Sequence, residues 1–335
     1  MEMRDAWGPD HIVPGERPDP EPGFGQVLLR MRAAALNYRD FVMAGRGYGR
    51  RSGTLPLVPV SDGAGEVVAV GDGVMRVSVG ELVCPIFAQG WISGPFRERY
   101  RHGLLGGPLN GVMQEYMVLD QDGVVRAPRH MTALEAATLP CAALTAWSAV
   151  AAQGRIKAGD TVLIQGTGGV SLFALLFAKM QGARVIATSS SDGKLERVKS
   201  IGADHLINYR ATPEWHKAAR DLTGGSGVDH VVDVGGAATL DRSIRAVRAS
   251  GTISLIGVLS GAQSKIDLGR VVTANIRMQA VTLGSRDRFQ DMVNAMELHR
   301  TQPPIDDALF PFEGVGEAIK ALPSGKHFGK VCSGF

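Results

Sequence analysis

The sequence predicts an α/β fold with two domains, one rich in β-strands and one built on a doubly wound parallel sheet. Residues 1–125 of the 335-residue chain are rich in β-branched residues, glycine and proline, and their short apolar runs are typical of strands. From residue 126 onward, strand-like runs alternate with helical stretches. That alternation favours a parallel sheet covered by helices. The length of the chain is also sufficient for two separate cores.

The element predictions define the domain boundaries. In the first domain, strands are predicted at 26–32, 65–71 and 112–119. In the second, helices are predicted at 133–139 and 142–152, with others starting at Pro213 and Leu240, and strands at 205–209, 228–234, 252–258 and 278–283. Residues 284–335 hold one helical stretch and a last strand, and they are expected to return to the first domain. The prediction is therefore 1–125 with 284–335 for one domain and 126–283 for the other.

Residues 161–194 carry the strongest functional signal in the chain. An apolar strand enters a glycine turn at Gly166, Gly168 and Gly169, and a helix follows. Such a turn lets the backbone approach a pyrophosphate, and the helix N-terminus favours its negative charge. A glycine triplet alone is weak evidence, but here it occupies the strand-turn-helix context that the motif requires. We therefore predict a Rossmann dinucleotide site that includes Thr167 and Val170.

The end of the next strand predicts which dinucleotide binds. NAD enzymes place an acidic residue there to hold the ribose 2′-hydroxyl. Here the segment is Thr188-Ser189-Ser190-Ser191, and the first acid, Asp192, comes late. Lys194 follows, and hydroxyls with a cation suit a 2′-phosphate. NADP(H) is the predicted cofactor, with NADH as the weaker alternative. The serines are also consistent with an ordinary helix cap.

Composition excludes several classes of function. The net charge of +3 comes from charges spread along the chain, so no nucleic-acid or membrane-surface partner is predicted. No apolar run is long enough to cross a bilayer, and the N-terminus lacks an apolar signal segment. The three cysteines, Cys84, Cys141 and Cys332, are far apart in sequence. That sparse count fits a reducing cytoplasm without a disulfide framework.

Several motifs, taken in order, resemble the medium-chain dehydrogenase/reductase superfamily. They are Asn37-Tyr-Arg-Asp40, Ser61-Asp-Gly-Ala-Gly65, residues 138–147 (TLPCAALTAW), Gly166-Thr-Gly-Gly-Val170 and residues 202–209 (GADHLINY). The residues of these motifs resemble those of a bacterial subgroup labelled zinc-type alcohol dehydrogenase-like, and also those of the zinc-free quinone oxidoreductases. The resemblance implies a GroES-like catalytic domain beside the Rossmann domain.

The resemblance also allows the catalytic zinc to be considered residue by residue. Zinc members place a cysteine, a histidine and a second cysteine where this chain has Asn37, Ser61 and Cys141. Only Cys141 is a strong zinc ligand, and a catalytic zinc needs three protein ligands. The four-cysteine structural zinc motif has no counterpart near Cys84. We therefore predict no metal, and we interpret Cys141 as a small buried residue.

Without zinc, the expected chemistry is hydride transfer to the activated C=C of an enone or quinone-type carbonyl compound. The resulting enolate is delocalised, so one hydroxyl donor suffices, whereas the alkoxide from a simple ketone favours a Lewis acid. Zinc-free relatives carry a tyrosine where this chain has Tyr48, which we predict as proton donor or carbonyl-orienting group. Asn37 and Asp40 match positions near the nicotinamide ribose. Tyr48 as a mere pocket lining and Asp40 as a helix cap remain alternatives.

The resemblance implies further cofactor contacts. Thr145 matches a threonine beside the nicotinamide, and Lys194 and Tyr209 match positions that hold the 2′-phosphate and pack on the adenine. The other expected contacts are Val234, Gly257, Val258, Ser285 and Lys330, the last a possible phosphate ligand.

Two broader expectations follow from the resemblance and the residues. A homodimer is expected through the strand at 278–283, and the long loop at 88–111 is expected to shape substrate access or a subunit contact. Two other functions remain open. The first is an alcohol dehydrogenase or ketone reductase, and the second is a non-catalytic NADPH-binding protein.

Overall fold

The computed structural model describes all 335 residues, Met1–Phe335. The chain divides into two compact units: unit 1 comprises Met1–Leu144 and Gly284–Phe335, and unit 2 comprises Thr145–Leu283. The expected domains began the second unit at residue 126, whereas the compact units divide after Leu144. Both divisions return the chain to the first unit at residue 284.

The chain forms fifteen strands and ten α-helices, numbered here in chain order. The strands are β1 Glu2–Met3, β2 Ile12–Val13, β3 Gln26–Ala35, β4 Asp62–Val70, β5 Leu82–Pro85, β6 Tyr116–Asp120, β7 Val124–Arg126, β8 Thr161–Gln165, β9 Arg184–Ser189, β10 His205–Asn208, β11 Val228–Asp233, β12 Val247–Leu255, β13 Arg277–Ala280, β14 Ile305–Phe310 and β15 Lys330–Gly334. The helices are α1 Tyr38–Ala44, α2 Ala133–Ala136, α3 Leu144–Trp147, α4 Gly169–Met180, α5 Asp192–Ser200, α6 Trp215–Asp221, α7 Leu240–Ala246, α8 Leu268–Thr273, α9 Arg286–His299 and α10 Val315–Ala321.

Unit 1 is built around a sheet with the order β14-β15-β3-β4-β5-β7, in which β6 also pairs with β3. Alternate residues of β3 point into its core, and Val27, Leu29 and Met31 are at most 2% exposed. This period of two is what a strand with one buried face requires. The central place of β3 brings the residues after its C-terminal end next to those that begin β4 and β15.

Unit 2 is built around a six-stranded sheet with the order β10-β9-β8-β11-β12-β13. All of its paired strands run parallel. Val162, Leu163 and Ile164 in β8 are fully buried. Helices that cover both faces make the central strands of parallel sheets continuously apolar. On α4, Phe173 and Phe177 stack with centroids 6.0 Å apart.

The structure confirms the predicted α/β fold class, with a β-rich unit and a parallel Rossmann-type sheet. Local differences have physical causes. Residues 133–152 form one helical stretch interrupted by π-turns at Leu139–Ala143 and Ser148–Ala152, instead of two helices. Pro140 lies in the first π-turn, and because proline has no N–H it disturbs the regular helical ladder. The sequence analysis missed β14, whose Asp306 and Asp307 are unfavourable in strands. Among the helices, none has the length and apolar character needed to cross a bilayer.

Candidate active site and cofactor site

A polar cluster in unit 1 forms where three neighbouring strands meet. Asp62, the first residue of β4, pairs with Ala35 at the end of β3, and Cys332 of β15 pairs with Ala35 from the other side. This pairing brings Asn37, just beyond β3, close to Asp62 and to Lys330 at the start of β15. The register of the sheet therefore assembles residues that are almost three hundred positions apart in sequence.

Lys330 is the buried cation of this cluster. Its side chain is only 2% exposed. The ammonium donates to the backbone oxygen of Leu36 at 2.6 Å and to Asn37 Oδ1 at 2.5 Å. Asp62 Oδ2 lies 4.0 Å from Lys330 Nζ. These oxygens replace the water that a buried ammonium loses, and without them its burial would be strongly unfavourable.

Asp62 is the buried carboxyl group that faces Lys330. It accepts from Ser61 Oγ at 2.7 Å through one oxygen and from the backbone N–H of Cys141 at 2.9 Å through the other. Burial raises the pKa of Asp62, and the positive charge of Lys330 counteracts part of that rise. The carboxyl thus links the start of β4 to the π-turn that carries Cys141.

Asp40 provides a second buried carboxyl group, on the first turn of α1. Its Oδ2 accepts from the backbone N–H of Asn37 at 2.7 Å, which fits the cap role considered from the sequence. Its Oδ1 is buried without a hydrogen-bond partner. Burial raises the pKa of Asp40 to about 6, although the Arg39 guanidinium 3.7 Å away acts in the opposite direction. With a pKa of about 6, Asp40 gains or loses its proton near neutral pH, as is common for groups in functional sites.

Arg39 and Tyr48 lie close to these carboxyl groups. Arg39 donates to the backbone oxygens of Leu105 and Gly107 and stacks on the Phe87 ring, with its guanidinium carbon 4.5 Å from the ring centre. Tyr48 is 48% exposed. Partial burial raises the pKa of the Tyr48 phenol, while the charge of Arg39 lowers it. The phenol therefore remains protonated at neutral pH and is available as a proton donor.

The residues at the expected zinc positions do not fit a zinc ion. Asn37 Oδ1 already accepts from Lys330, and the hydroxyl of Ser61 donates to Asp62. Cys141 is then the one strong ligand left, and a catalytic zinc needs three protein ligands. Cys141 is partly exposed instead of buried as expected. No group of three or more His, Cys, Asp or Glu side chains in the chain is arranged to hold a metal ion.

The glycine turn in unit 2 fits a pyrophosphate. Gly166 has a φ of 75°, which side-chain-bearing residues seldom adopt. A Cβ added at Gly166 or Gly168 would meet nothing within 4 Å, so the space over the turn is open. No side chain caps α4, which leaves its first N–H groups available. Ser171, at the third glycine position, is accommodated because its hydroxyl donates to Gln165 O at 2.6 Å.

The carboxyl end of β9 carries hydroxyl side chains, and the nearest acidic residue is already hydrogen-bonded. Ser191 caps α5 by accepting from the backbone N–H of Lys194, and the buried Ser189 hydroxyl accepts from the Ser191 N–H. Asp192, the nearest acid, accepts from Asn208 Nδ2 at 2.7 Å. Ser191 therefore acts as the helix cap considered from the sequence, and Asp192 is hydrogen-bonded to Asn208.

Two loops at the carboxyl ends of β11 and β12 lie against each other. A Cβ added at Gly257 would lie 2.3 Å from the backbone oxygen of Val234, so only glycine fits there. The buried Asp233 carboxylate fixes the first loop. It accepts from the N–H groups of Gly235 and Gly236 and from the Thr239 hydroxyl. Val258 follows and is 61% exposed.

The structure groups most of the predicted residues into two sets. Asn37, Asp40, Tyr48 and Lys330 lie in unit 1. The glycine turn, the serine segment and the two loops lie in unit 2, as do Thr145 on α3 and Tyr209, which is 42% exposed. Ser285 belongs to unit 1, where it caps α9. The expected phosphate contact of Lys330 stays a prediction, although its ammonium already has internal acceptors. Arg39 and Asp62 lie within the quoted motifs but were not predicted as site residues, because only the folded structure shows their contacts with Asp40, Cys141 and Lys330.

Comparison with known proteins identifies the family. A family model described as an alcohol dehydrogenase GroES-like domain matches residues 23–129, and one described as a zinc-binding dehydrogenase matches residues 169–297. A zinc-type alcohol dehydrogenase-like protein of Schizosaccharomyces pombe is 40% identical, over 97% of this chain and 95% of that protein. The chain belongs to the medium-chain dehydrogenase/reductase superfamily. It is an oxidoreductase.

Solved structures of the superfamily share the whole fold. A putative alcohol dehydrogenase from Sinorhizobium meliloti 1021 has a TM-score of 0.90 at 42% identity, covering 95% of this chain and 93% of that one. A mycobacterial protein complexed with NADPH has a TM-score of 0.82 at 27% identity, covering 100% of this chain and 98% of that one.

Replacing Asp40 by asparagine is expected to stabilise the protein at neutral pH. Because its folded-state pKa is raised from 3.8 to about 6, the folded protein holds this proton more tightly, so stability falls as the pH rises between these values. Asp40→Asn keeps an acceptor for the Asn37 N–H and removes the charge. We expect a gain of about 1–3 kcal/mol at neutral pH and a flatter pH dependence in urea unfolding. An unchanged pH slope, matching that of the exposed control Asp19→Asn, would contradict this.

Replacing Lys330 by methionine is expected to destabilise the protein by leaving Asp62 without its cation. Loss of one member of a buried pair costs about 3–5 kcal/mol in unfolding free energy. Adding Asp62→Asn removes the unpaired charge, so the double variant should recover part of the loss in denaturant unfolding. Lys199→Met on the exposed end of α5 is the matched control. Losses that simply add in the double variant would show that the two groups do not interact.

Proposed function

We propose that this oxidoreductase uses NADPH, without zinc, to reduce the activated C=C of an enone or quinone-type carbonyl compound. The observation that carries the proposal is the buried Lys330 ammonium bonded to Asn37 Oδ1, at the position where zinc members have their first cysteine ligand. An amide that accepts from an ammonium is a poor zinc ligand. The chemistry must therefore suit protein groups alone.

Reduction at the β-carbon of an enone suits these groups. The electron pair that arrives at the β-carbon moves onto the carbonyl oxygen and forms a delocalised enolate. A proton from a hydroxyl donor then completes the saturated ketone. One well-placed donor can supply this step, whereas the localised alkoxide from a simple ketone calls for a stronger acid or a metal.

In this proposal Tyr48 is the proton donor or the group that orients the carbonyl oxygen. A phenol is protonated at neutral pH, and the neighbouring Arg39 guanidinium, which lowers the pKa of Tyr48, favours the negative charge that develops on substrate or phenol. Asn37 and Asp40 would hold the nicotinamide ribose. When bound, NADPH supplies the hydride.

NADP(H) is the proposed cofactor because Ser189, Ser190 and Lys194 suit a 2′-phosphate, and because Asp192 is engaged by Asn208. Gly166, Thr167, Gly168, Gly169 and Val170 would hold the pyrophosphate, and Tyr209 the adenine. Thr145, Val234, Gly257, Val258 and Ser285 are proposed to line the nicotinamide end. The mycobacterial neighbour complexed with NADPH supports this choice.

The names of two curated relatives support reduction of C=C bonds. A 2-haloacrylate reductase of Burkholderia sp is 32% identical over 78% of this chain and 75% of that protein. An acryloyl-coenzyme A reductase of Sulfurisphaera tokodaii is 26% identical over 96% of this chain and 98% of that protein. Both names describe enzymes that act on activated alkenes.

We also propose a homodimer formed through β13, the edge strand of the unit 2 sheet. Leu268 and Val272 on α8 are 63% and 72% exposed, so an apolar surface accompanies that edge. An unpaired edge strand beside such a surface favours pairing with a second copy.

Product analysis with NADPH and a small α,β-unsaturated ketone tests the function, and Tyr48→Phe tests the mechanism. We expect the saturated ketone as product. Tyr48→Phe should lower kcat by about 10²–10⁴-fold, the contribution of a general acid, with little change in NADPH affinity. Tyr38→Phe, another partly exposed tyrosine, is the control. An allylic alcohol as product would indicate direct carbonyl reduction, and full activity of Tyr48→Phe would remove that residue from the mechanism.

Lys194→Ala tests the cofactor assignment. Loss of a charge-assisted contact to the 2′-phosphate should raise the KM for NADPH by about tenfold or more, while the KM for NADH changes little. Lys199→Ala, on the same helix, is the matched control. Equal losses for both nucleotides would indicate that Lys194 supports the local structure instead.

A further inference from the structure

Two exposed segments of unit 1 carry a local excess of positive charge. The first, residues 46–51, contains Tyr48, and the second, residues 97–102, lies within the long loop. Together we call them the arginine surface, which consists of Arg46, Arg50, Arg51, Arg97, Arg99 and Arg101. Glu98 is the one acid within the two segments, so their net charge is +5; because the whole chain carries +3, all other residues sum to −2.

The two segments lie side by side, although about fifty residues separate them in sequence. An Arg51 guanidinium nitrogen is 3.9 Å from Glu98 Oε1. The chain that follows the second segment packs on the chain that follows the first: a Cβ added at Gly53 would lie 2.9 Å from Pro108 Cα, and one at Gly107 would lie 3.0 Å from the backbone oxygen of Ser52. The arginine surface is thus continuous, and Tyr48 lies within it.

Aromatic rings hold the second segment in place. Trp91 packs on Phe96 and Tyr100, with ring centres 5.1 Å and 5.8 Å apart. The Arg99 guanidinium lies 5.1 Å from the centre of the Tyr100 ring, and that of Arg101 lies 5.3 Å from the Phe96 ring. Stacked guanidinium groups keep their N–H donors while losing rotational freedom. These arginines are therefore positioned in advance of any ligand.

The charge of this surface is not neutralised within the protein. Glu98 is shared between Arg51 and Arg101. Arg50 and Arg97 have no carboxylate partner, and Arg46 lies over the face of Trp7, 5.6 Å from its ring centre. Clustered like charges repel one another, and guanidinium groups match the oxygens of phosphates and carboxylates. A bound oxyanion would relieve that repulsion.

We propose that the arginine surface binds an anionic group, phosphate or carboxylate, carried by the substrate. The inference rests on the proposed function, because Tyr48 in the first segment is the group assigned to the reacting end of the substrate. The substrate class is then an activated alkene with an anionic tail, in preference to a neutral enone or quinone. The arginines act at the tail and take no part in the proton transfer.

Matched substrate pairs test this inference. S-crotonyl-4′-phosphopantetheine and S-crotonylpantetheine share one reacting group and differ in a single phosphate. An oxopentenoate and its methyl ester differ in a carboxylate. We expect kcat/KM and affinity to favour the anionic member of at least one pair by about tenfold or more, and the preference to shrink as salt screens the charges. The pair with the larger preference identifies the anion.

The double variant Arg50→Glu/Arg97→Glu should abolish that preference while activity on the neutral members stays within about twofold. The control Arg184→Glu/Lys199→Glu makes the same change in net charge on unit 2 and should keep the preference. Binding of both members is measured by calorimetry with each variant, so the inference is tested even without turnover. The inference is overturned if the parent protein shows equal kcat/KM and equal affinity for the anionic and neutral members of both pairs. It is also overturned if the Arg50→Glu/Arg97→Glu variant raises the KM for NADPH tenfold, because the surface would then bind the cofactor. Failure of the proposed function would instead appear as no turnover of any alkene.

Discussion

The buried ammonium of Lys330 is the constraint on which the candidate active site depends. A buried ammonium and a buried carboxyl each lose several kcal/mol of hydration, so each must be compensated inside the protein. Lys330 finds Leu36 O, Asn37 Oδ1 and the more distant Asp62, and Asp62 in turn fixes the N–H of Cys141. Moving any one of these strands would leave a charge without partners. The network therefore holds the ends of β3, β4 and β15 in one arrangement.

The same network occupies the positions at which zinc members of the family have their metal ligands. In zinc members, a divalent cation brings together ligands from separate segments. Here a monovalent cation, covalently part of the chain, lies among the equivalent segments and holds the amide of Asn37 through a hydrogen bond. An ammonium so engaged cannot polarise a carbonyl as strongly as zinc does. In the proposed function, this difference in charge favours a reaction whose intermediate is delocalised, with Tyr48 as the proposed proton donor.

Sequence patterns were sufficient for the fold class, the parallel sheet and the glycine turn, because each depends on residues close together in the chain. The apolar run of β8 and the Gly166 turn are local signals of this kind. The Asp62–Lys330 pairing is not, since it follows from strand pairing between the two ends of unit 1. The strand β14 was missed for a related reason: its residues 306 and 307 are both acidic, and its parallel pairing with β15 runs through Ile305, Leu309 and Phe310. The contact of Asp62 with the π-turn at Leu139–Ala143 is likewise long-range, because the Cys141 N–H donates to a carboxyl 79 positions away in sequence.

The arginine surface also depends on contacts that the sequence pattern does not show. In the sequence, Arg97, Arg99 and Arg101 form a short charged run interrupted by Glu98 and Tyr100, and such runs are usually solvated. The fold changes that interpretation, because it places the run beside the segment of Tyr48 and fixes two of its guanidinium groups on aromatic rings. Like charges held together repel one another, and a bound anion relieves that repulsion. Solubility needs surface charge but no fixed arrangement of that charge. A fixed arrangement next to the proposed proton donor therefore favours binding of an anionic substrate tail.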